Sequence, residues 1–119
     1  MAKAVKDSLI PRTIPFAGKE IDHFPILSGP PESILMRSGL VLLNSGESVG
    51  KHSTENFEEL IVVLEGQGQV QIAGQKPFEI KSGVAVYCPP ETEHDLINTG
   101  SEPLRYLYIV AKVKDSSDK

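Results

Sequence analysis

What most constrains this chain is a succession of short β-like runs, each closed by residues that turn. From Ser33 onward the runs are Ser33 to Ser38, Leu40 to Asn44, Leu60 to Glu65, Gln69 to Ala73, Pro77 to Ile80, Val84 to Tyr87, His94 to Asn98 and Leu104 to Val110. That close spacing is expected of an all-β sandwich or barrel. Between the runs lie Asn44-Ser45-Gly46, Gly66-Gln67-Gly68, Ala73-Gly74, Lys81-Ser82-Gly83 and Asn98-Thr99-Gly100, where glycine reaches positive φ at little steric cost. No segment with helical periodicity competes. About eight strands in one small domain predict a double-sheet jelly roll, which limits exposed sheet edges.

The first third reads differently. Pro11, Pro15, Pro25, Pro30 and Pro31 remove backbone donors at short intervals and forbid a long helix. Residues 1–32 are therefore read as an extended N-terminal arm, 33–113 as the barrel and 114–119 as a polar tail expected to be disordered. Leu9, Ile10, Ile14, Phe16, Ile21, Phe24, Ile26 and Leu27 recur along the arm, so it is expected to pack on the barrel or on a partner subunit. His23 lies among these prolines and is given no role.

Composition excludes several classes of function. Twelve basic against sixteen acidic residues leave a net charge of −4, with no basic stripe to track phosphates, so nucleic acid is not an expected partner. No apolar run approaches the roughly 20 residues that cross a bilayer, and no secretory apolar region follows Met1. A cytoplasmic protein with no membrane partner is the expectation. The single cysteine, Cys88, forms no internal disulfide and is read as a small buried hydrophobe.

Two segments place metal-competent groups where strands otherwise want hydrocarbon. One spans Gly46 to Gly66 and contains His52, Thr54, Glu58 and Glu59; the other spans Gly83 to Asn98 and contains Cys88, Pro89, Glu91 and His94. Along a strand, residues two apart share a face, so His52 and Thr54 point together if the strand persists through them. In the next strand Glu59, Ile61 and Val63 share one face, and Glu58, Leu60 and Val62 the other. Only one of the two glutamates can look inward.

These segments resemble the two motifs of the cupin superfamily, G-x5-H-x-H-x3,4-E-x6-G and G-x5-P-x-G-x2-H-x3-N. Gly46, His52, Glu59 and Gly66 match the first, with Thr54 in place of its second histidine. Gly83, Pro89, His94 and Asn98 match the second, with Glu91 in place of its glycine. The resemblance covers roughly residues 33–113. It implies a single barrel, the double-stranded β-helix or jelly roll, in which side chains of both motifs converge on one divalent metal.

The motif spacing selects Glu59 as the inward carboxylate, with Glu58 in reserve should the register slip by one. The ligand set implied is then His52, Glu59 and His94. Two imidazoles and a carboxylate with open positions suit non-haem Fe(II) or catalytic zinc, and Mn or Ni also remains in view. The bland alternative is a pair of polar barrel histidines hydrogen-bonded to their neighbours. Glu59 weighs against it, because a carboxylate facing an apolar interior needs a cation or a partner.

Around that set, Thr54 is read as a group whose hydroxyl hydrogen-bonds water on the ion or a substrate oxygen. Tyr106 and Tyr108 share one face of the last strand and are candidates to orient a substrate. Arg37 and Arg105 are candidate anchors for an anion. Glu91 stands where a turn takes positive φ, a strained position for glutamate. The resemblance implies a metal-dependent enzyme acting on a small oxygenated organic substrate, of oxygenase, isomerase or lyase type. A non-catalytic module that binds a ligand or metal is the alternative. It further implies a homodimer, for which the apolar arm is suited.

Overall fold

A computed structural model of the chain describes residues 9–16 and 21–113. Residues 1–8 and 17–20 of the expected arm, and the expected tail 114–119, lie outside the described residues. The elements in chain order are β1 (His23–Ser28), β2 (Met36–Leu43), β3 (His52–Ser53), β4 (Phe57–Glu65), β5 (Gln67–Ile72), β6 (Phe78–Lys81), β7 (Ala85–Cys88), β8 (Glu93–Ile97) and β9 (Leu104–Lys112). There is no helix among the described residues. The strands form two antiparallel sheets, ordered β1-β2-β9-β4-β7 and β3-β8-β5-β6. This is the double-sheet jelly roll expected from the turn spacing.

Beyond shifts of a few residues at strand ends, the strands differ from expectation in three places. The runs 33–38 and 40–44 are one strand, β2, because Gly39 continues the ladder opposite Tyr108 instead of ending it. The segment read as an extended arm contains β1, which pairs antiparallel with β2. Its register shifts between Pro25 and Leu27, so the proline sits at an irregularity of an edge strand, where a missing N–H costs no ladder bond. The strand considered through His52 and Thr54 is only the two-residue β3 and ends at Ser53. Further upstream, Arg12 donates to the Glu32 carbonyl at 2.6 Å, and Leu9, Ile10 and Ile14 share a groove with Leu27, Ile34 and Met36.

Alternation sets the core. On β4, Glu59, Ile61 and Val63 face the interior while Glu58, Leu60 and Val62 face away. Ile61 and Val63 pack with Leu43, Val70, Ile80, Val86, Cys88, Leu96, Leu104 and Tyr106, and each large aliphatic side chain so buried contributes about 1.5–3 kcal/mol. Two motif positions serve this framework. Gly66 has φ +85, and a Cβ there would stand 2.4 Å from the Pro103 carbonyl oxygen. The fully buried Asn98 donates to the carbonyls of Leu43 and Glu102 at 2.9 and 2.8 Å and accepts from the Gly100 N–H at 2.9 Å. It braces the turn between β8 and β9.

Candidate metal centre

The two sheets part at one end around a cavity of about 510 Å³. His52 and His94 enter it from the second sheet, where they face each other across the β3–β8 pair. Glu59 enters from β4 in the first sheet. The three side chains bring one ligand atom each to within 4.8 Å of the others, and the two imidazole centroids are 4.4 Å apart.

Both imidazoles are aimed by the same device. His52 Nδ1 lies 2.8 Å from the Gly50 carbonyl oxygen, and His94 Nδ1 lies 3.1 Å from that of Thr92, two residues earlier in each case. A carbonyl oxygen only accepts, so each Nδ1 carries the hydrogen and each Nε2 is left as the free lone-pair or charged side of its ring. His94 Nε2 is buried, without a hydrogen-bond partner, and stands 3.0 Å from Glu59 Oε1. The Glu59 carboxylate raises the His94 pKa above its ordinary value, helped by the Thr92 carbonyl and opposed by burial. A buried orphan nitrogen, a second nitrogen oriented in the same way and a carboxylate form a donor set suited to a divalent transition metal.

The remaining site candidates fall into place individually. Glu58 is on the opposite face of β4, accepting from the Tyr87 hydroxyl at 2.9 Å. Thr54 lines the cavity, but the strand ends at Ser53. The Thr54 hydroxyl donates to the Pro89 carbonyl at 2.7 Å and accepts from the Thr92 N–H at 3.0 Å. Its hydrogen is committed to tying the two motif loops together, so it has none to offer to water or substrate. Glu91 does occupy positive φ, 57°, as does Glu55 at 52°, and the Glu91 N–H donates to the Glu55 carbonyl at 2.8 Å. The strained pair is thus part of the same tie.

Tyr106 and Tyr108 both line the cavity. Burial raises both phenol pKa values, with the Glu59 charge adding to it. Cys88 is buried in the core beside Glu59, and burial first and that carboxylate second push its thiol up to about 11, consistent with inert packing. Arg37 reaches the cavity, with Cζ 5.2 Å from the centroid of the Phe57 ring. Arg105 does not line it: its Nε lies 3.5 Å from Glu65 Oε1. It follows Leu104 on β9 and so alternates to the outer face.

One cavity residue was missed. His23, from β1, lines the cavity with Nε2 2.6 Å from the Tyr108 hydroxyl oxygen. The alternation of His23 and Pro25 against Phe24 and Ile26 was the available signal, and the proline density obscured it.

The family profile described as Cupin domain matches residues 39–110, the stretch that supplies all three ligand-type side chains. This chain is a cupin. It is 35% identical over 89 residues to an uncharacterized protein of Methanocaldococcus jannaschii, covering 75% of this chain and 67% of that protein. It is 46% identical to the dimethylsulfoniopropionate lyase DddW of Ruegeria pomeroyi over 50 residues, 42% of this chain and 32% of the lyase. The cupin thus matches only about a third of the lyase's length. Among solved structures, a predicted oxalate decarboxylase of Thermotoga maritima superposes with TM-score 0.71 at 27% identity, over 76% of this chain and 79% of that one. A Bacillus halodurans protein gives TM-score 0.74 at 21% identity, over 88% and 85%, a likeness of fold alone.

Proposed function

We propose that this cupin is a metal-dependent enzyme in which His52, Glu59 and His94 hold one divalent ion, Fe, Mn, Ni or Zn, and which acts on a small oxygenated organic substrate. The observation that carries the reading is the pair of carbonyl-held imidazoles gathered with Glu59 into one group whose ligand atoms lie within 4.8 Å of one another. A bound divalent ion supplies Lewis acidity or dioxygen activation at its open positions.

The chain's own residues do the rest. Val41, Val49, Phe57, Leu96 and Val110 give the cavity hydrocarbon walls, which exclude water from an apolar substrate body and strengthen polar contacts within. Glu59 balances positive charge at the buried end. The similarity to a lyase and to a predicted decarboxylase supports chemistry on an oxygenated carbon skeleton, without selecting the reaction.

Elemental analysis of protein purified without chelators tests the reading, alongside the same measurement on His94→Ala. Stoichiometric metal in the wild type and its loss in the variant is the expected result. Substoichiometric metal in both, with no thermal stabilisation on adding metal, overturns it. A module that binds without turnover would show ligand-induced stabilisation and no product. We also propose that the chain forms a homodimer, because Ile34, Leu35 and Met36 expose a run of large apolar side chains beside the groove that holds Leu9 and Ile10. Light scattering of the full chain against Ile34→Glu checks this.

A further inference from the structure

The cavity has a second polar end, on the strands away from the histidine pair. Arg37, Val110 and Glu59 occupy one cross-strand row over β2, β9 and β4. Two strand spacings separate Arg37 from Glu59 in that row, so their backbones stand about 10 Å apart. In the next row on the same face, Tyr108 lies between Gly39 and Ile61. Its side chain crosses β2 where Gly39 has no Cβ; one built there would fall 2.6 Å from the Tyr108 hydroxyl oxygen. That crossing brings the phenol to His23 on β1.

Charge and donor geometry then specify a ligand. Among the cavity-lining residues Glu59 is the sole carboxylate, and it is engaged with His94. Among the described residues no carboxylate forms an ion pair with Arg37. The guanidinium is stationed with Cζ 5.2 Å from the centroid of the Phe57 ring, and its planar fork of N–H donors matches a planar, two-oxygen acceptor. When His23 Nε2 carries the hydrogen and donates to the Tyr108 oxygen, the phenol hydrogen is free to donate to the same acceptor. The lining contains one arginine and no lysine, too few donors to favour a phosphate dianion. Between the two polar ends the walls are hydrocarbon.

We propose that Arg37, with Tyr108 held by His23 beside it, is a carboxylate-binding subsite, and that the cavity takes small carboxylates with an apolar body. The carboxylate sits on Arg37 and the rest of the molecule extends toward His52, Glu59 and His94. This inference rests on the metalloenzyme reading for its reacting end, but its own contact is made by Arg37.

The test is calorimetric titration of 3-phenylpropanoate, 3-phenylpropanamide and phenyl phosphate into chelator-treated and zinc-loaded protein, with bound zinc measured separately. The acid is expected to bind about tenfold or more tighter than the amide in both metal states. Arg37→Gln should erase that preference while retaining zinc, and Tyr108→Phe should lower it severalfold. Circular dichroism melts confirm that both variants are folded. Equal binding of acid and amide, no binding of either, tighter binding of phenyl phosphate, or a preference that survives Arg37→Gln overturns the subsite. Failure of the wild type to retain zinc, with the Arg37-dependent preference intact, sinks the metal reading and leaves the subsite standing.

Discussion

The two ends of the cavity are built by different means. The buried end, so called for Glu59 and His94 since His52 is exposed, draws on both sheets: Glu59 comes from β4, and His52 and His94 come from the β3–β8 pair. Its two imidazoles are oriented by main-chain carbonyls. The outer end lies within one sheet, on β1, β2, β9 and the start of β4, and is held by side chains: a guanidinium over Phe57, and a phenol on His23. The first arrangement ties the centre to the integrity of the barrel. The second allows the outer end to be altered while the fold and the buried end persist.

Substitutions can break that separation. The largest effect is expected for His94→Ala, which empties a buried position and removes a ligand-type nitrogen. Urea unfolding should show a loss of about 2–4 kcal/mol, and equilibrium dialysis should show metal binding abolished. Thr54→Val should cost about 1–3 kcal/mol by releasing Pro89 and Thr92, measured in the same way. Gly39→Ala should cost a similar or smaller amount, about 1–3 kcal/mol from overpacking. It should move Tyr108 off His23 while leaving metal stoichiometry unchanged, so loss of metal in this variant would show that the two ends are not separable.

A pH series sharpens the contrast. The folded-state pKa of His94 is raised, chiefly by Glu59, so its contribution to metal-free stability is fully present below the unfolded value of about 6.5. It is lost as pH rises through the raised folded value. Chelator-treated protein should lose stability across that window, and Glu59→Gln should flatten the profile. Metal affinity should run the other way and weaken on acidification, because proton and ion compete for Nε2. The smallest effect is expected for Glu58→Gln, on the outward face of β4 beside Tyr87: no measurable change in melting temperature or bound metal.

The same contrast explains what could be read from the residues alone. The buried end was legible because His52, Glu59 and His94 stand at fixed intervals from turn glycines, and strand alternation then dictates facing. Alternation separates Glu59 from Glu58 once the register is given, as the ladder to β7 and β9 shows. The outer end was opaque because its partners come from strands distant in sequence. His23 and Tyr108 are 85 residues apart, and no local period links them. Pro25 hid the pairing of β1 by suggesting an arm outside the barrel sheets, and Gly39 suggested a break where it makes room for a ring. Thr54 was read as pointing with His52 along a strand, but the strand ends at Ser53, and which acceptor takes its hydrogen depends on the course of residues 89–92, which no pattern within residues 46–66 encodes.

The aiming of the two imidazoles by carbonyls has an evolutionary corollary. Any amino acid offers a carbonyl, so position 92 is free to drift in chemistry without turning the His94 ring, and position 50 is restricted by its backbone angle, φ +101° at Gly50, rather than by a functional group. Distant descendants of this chain would keep their histidines pointed while sharing no recognisable orienting side chain.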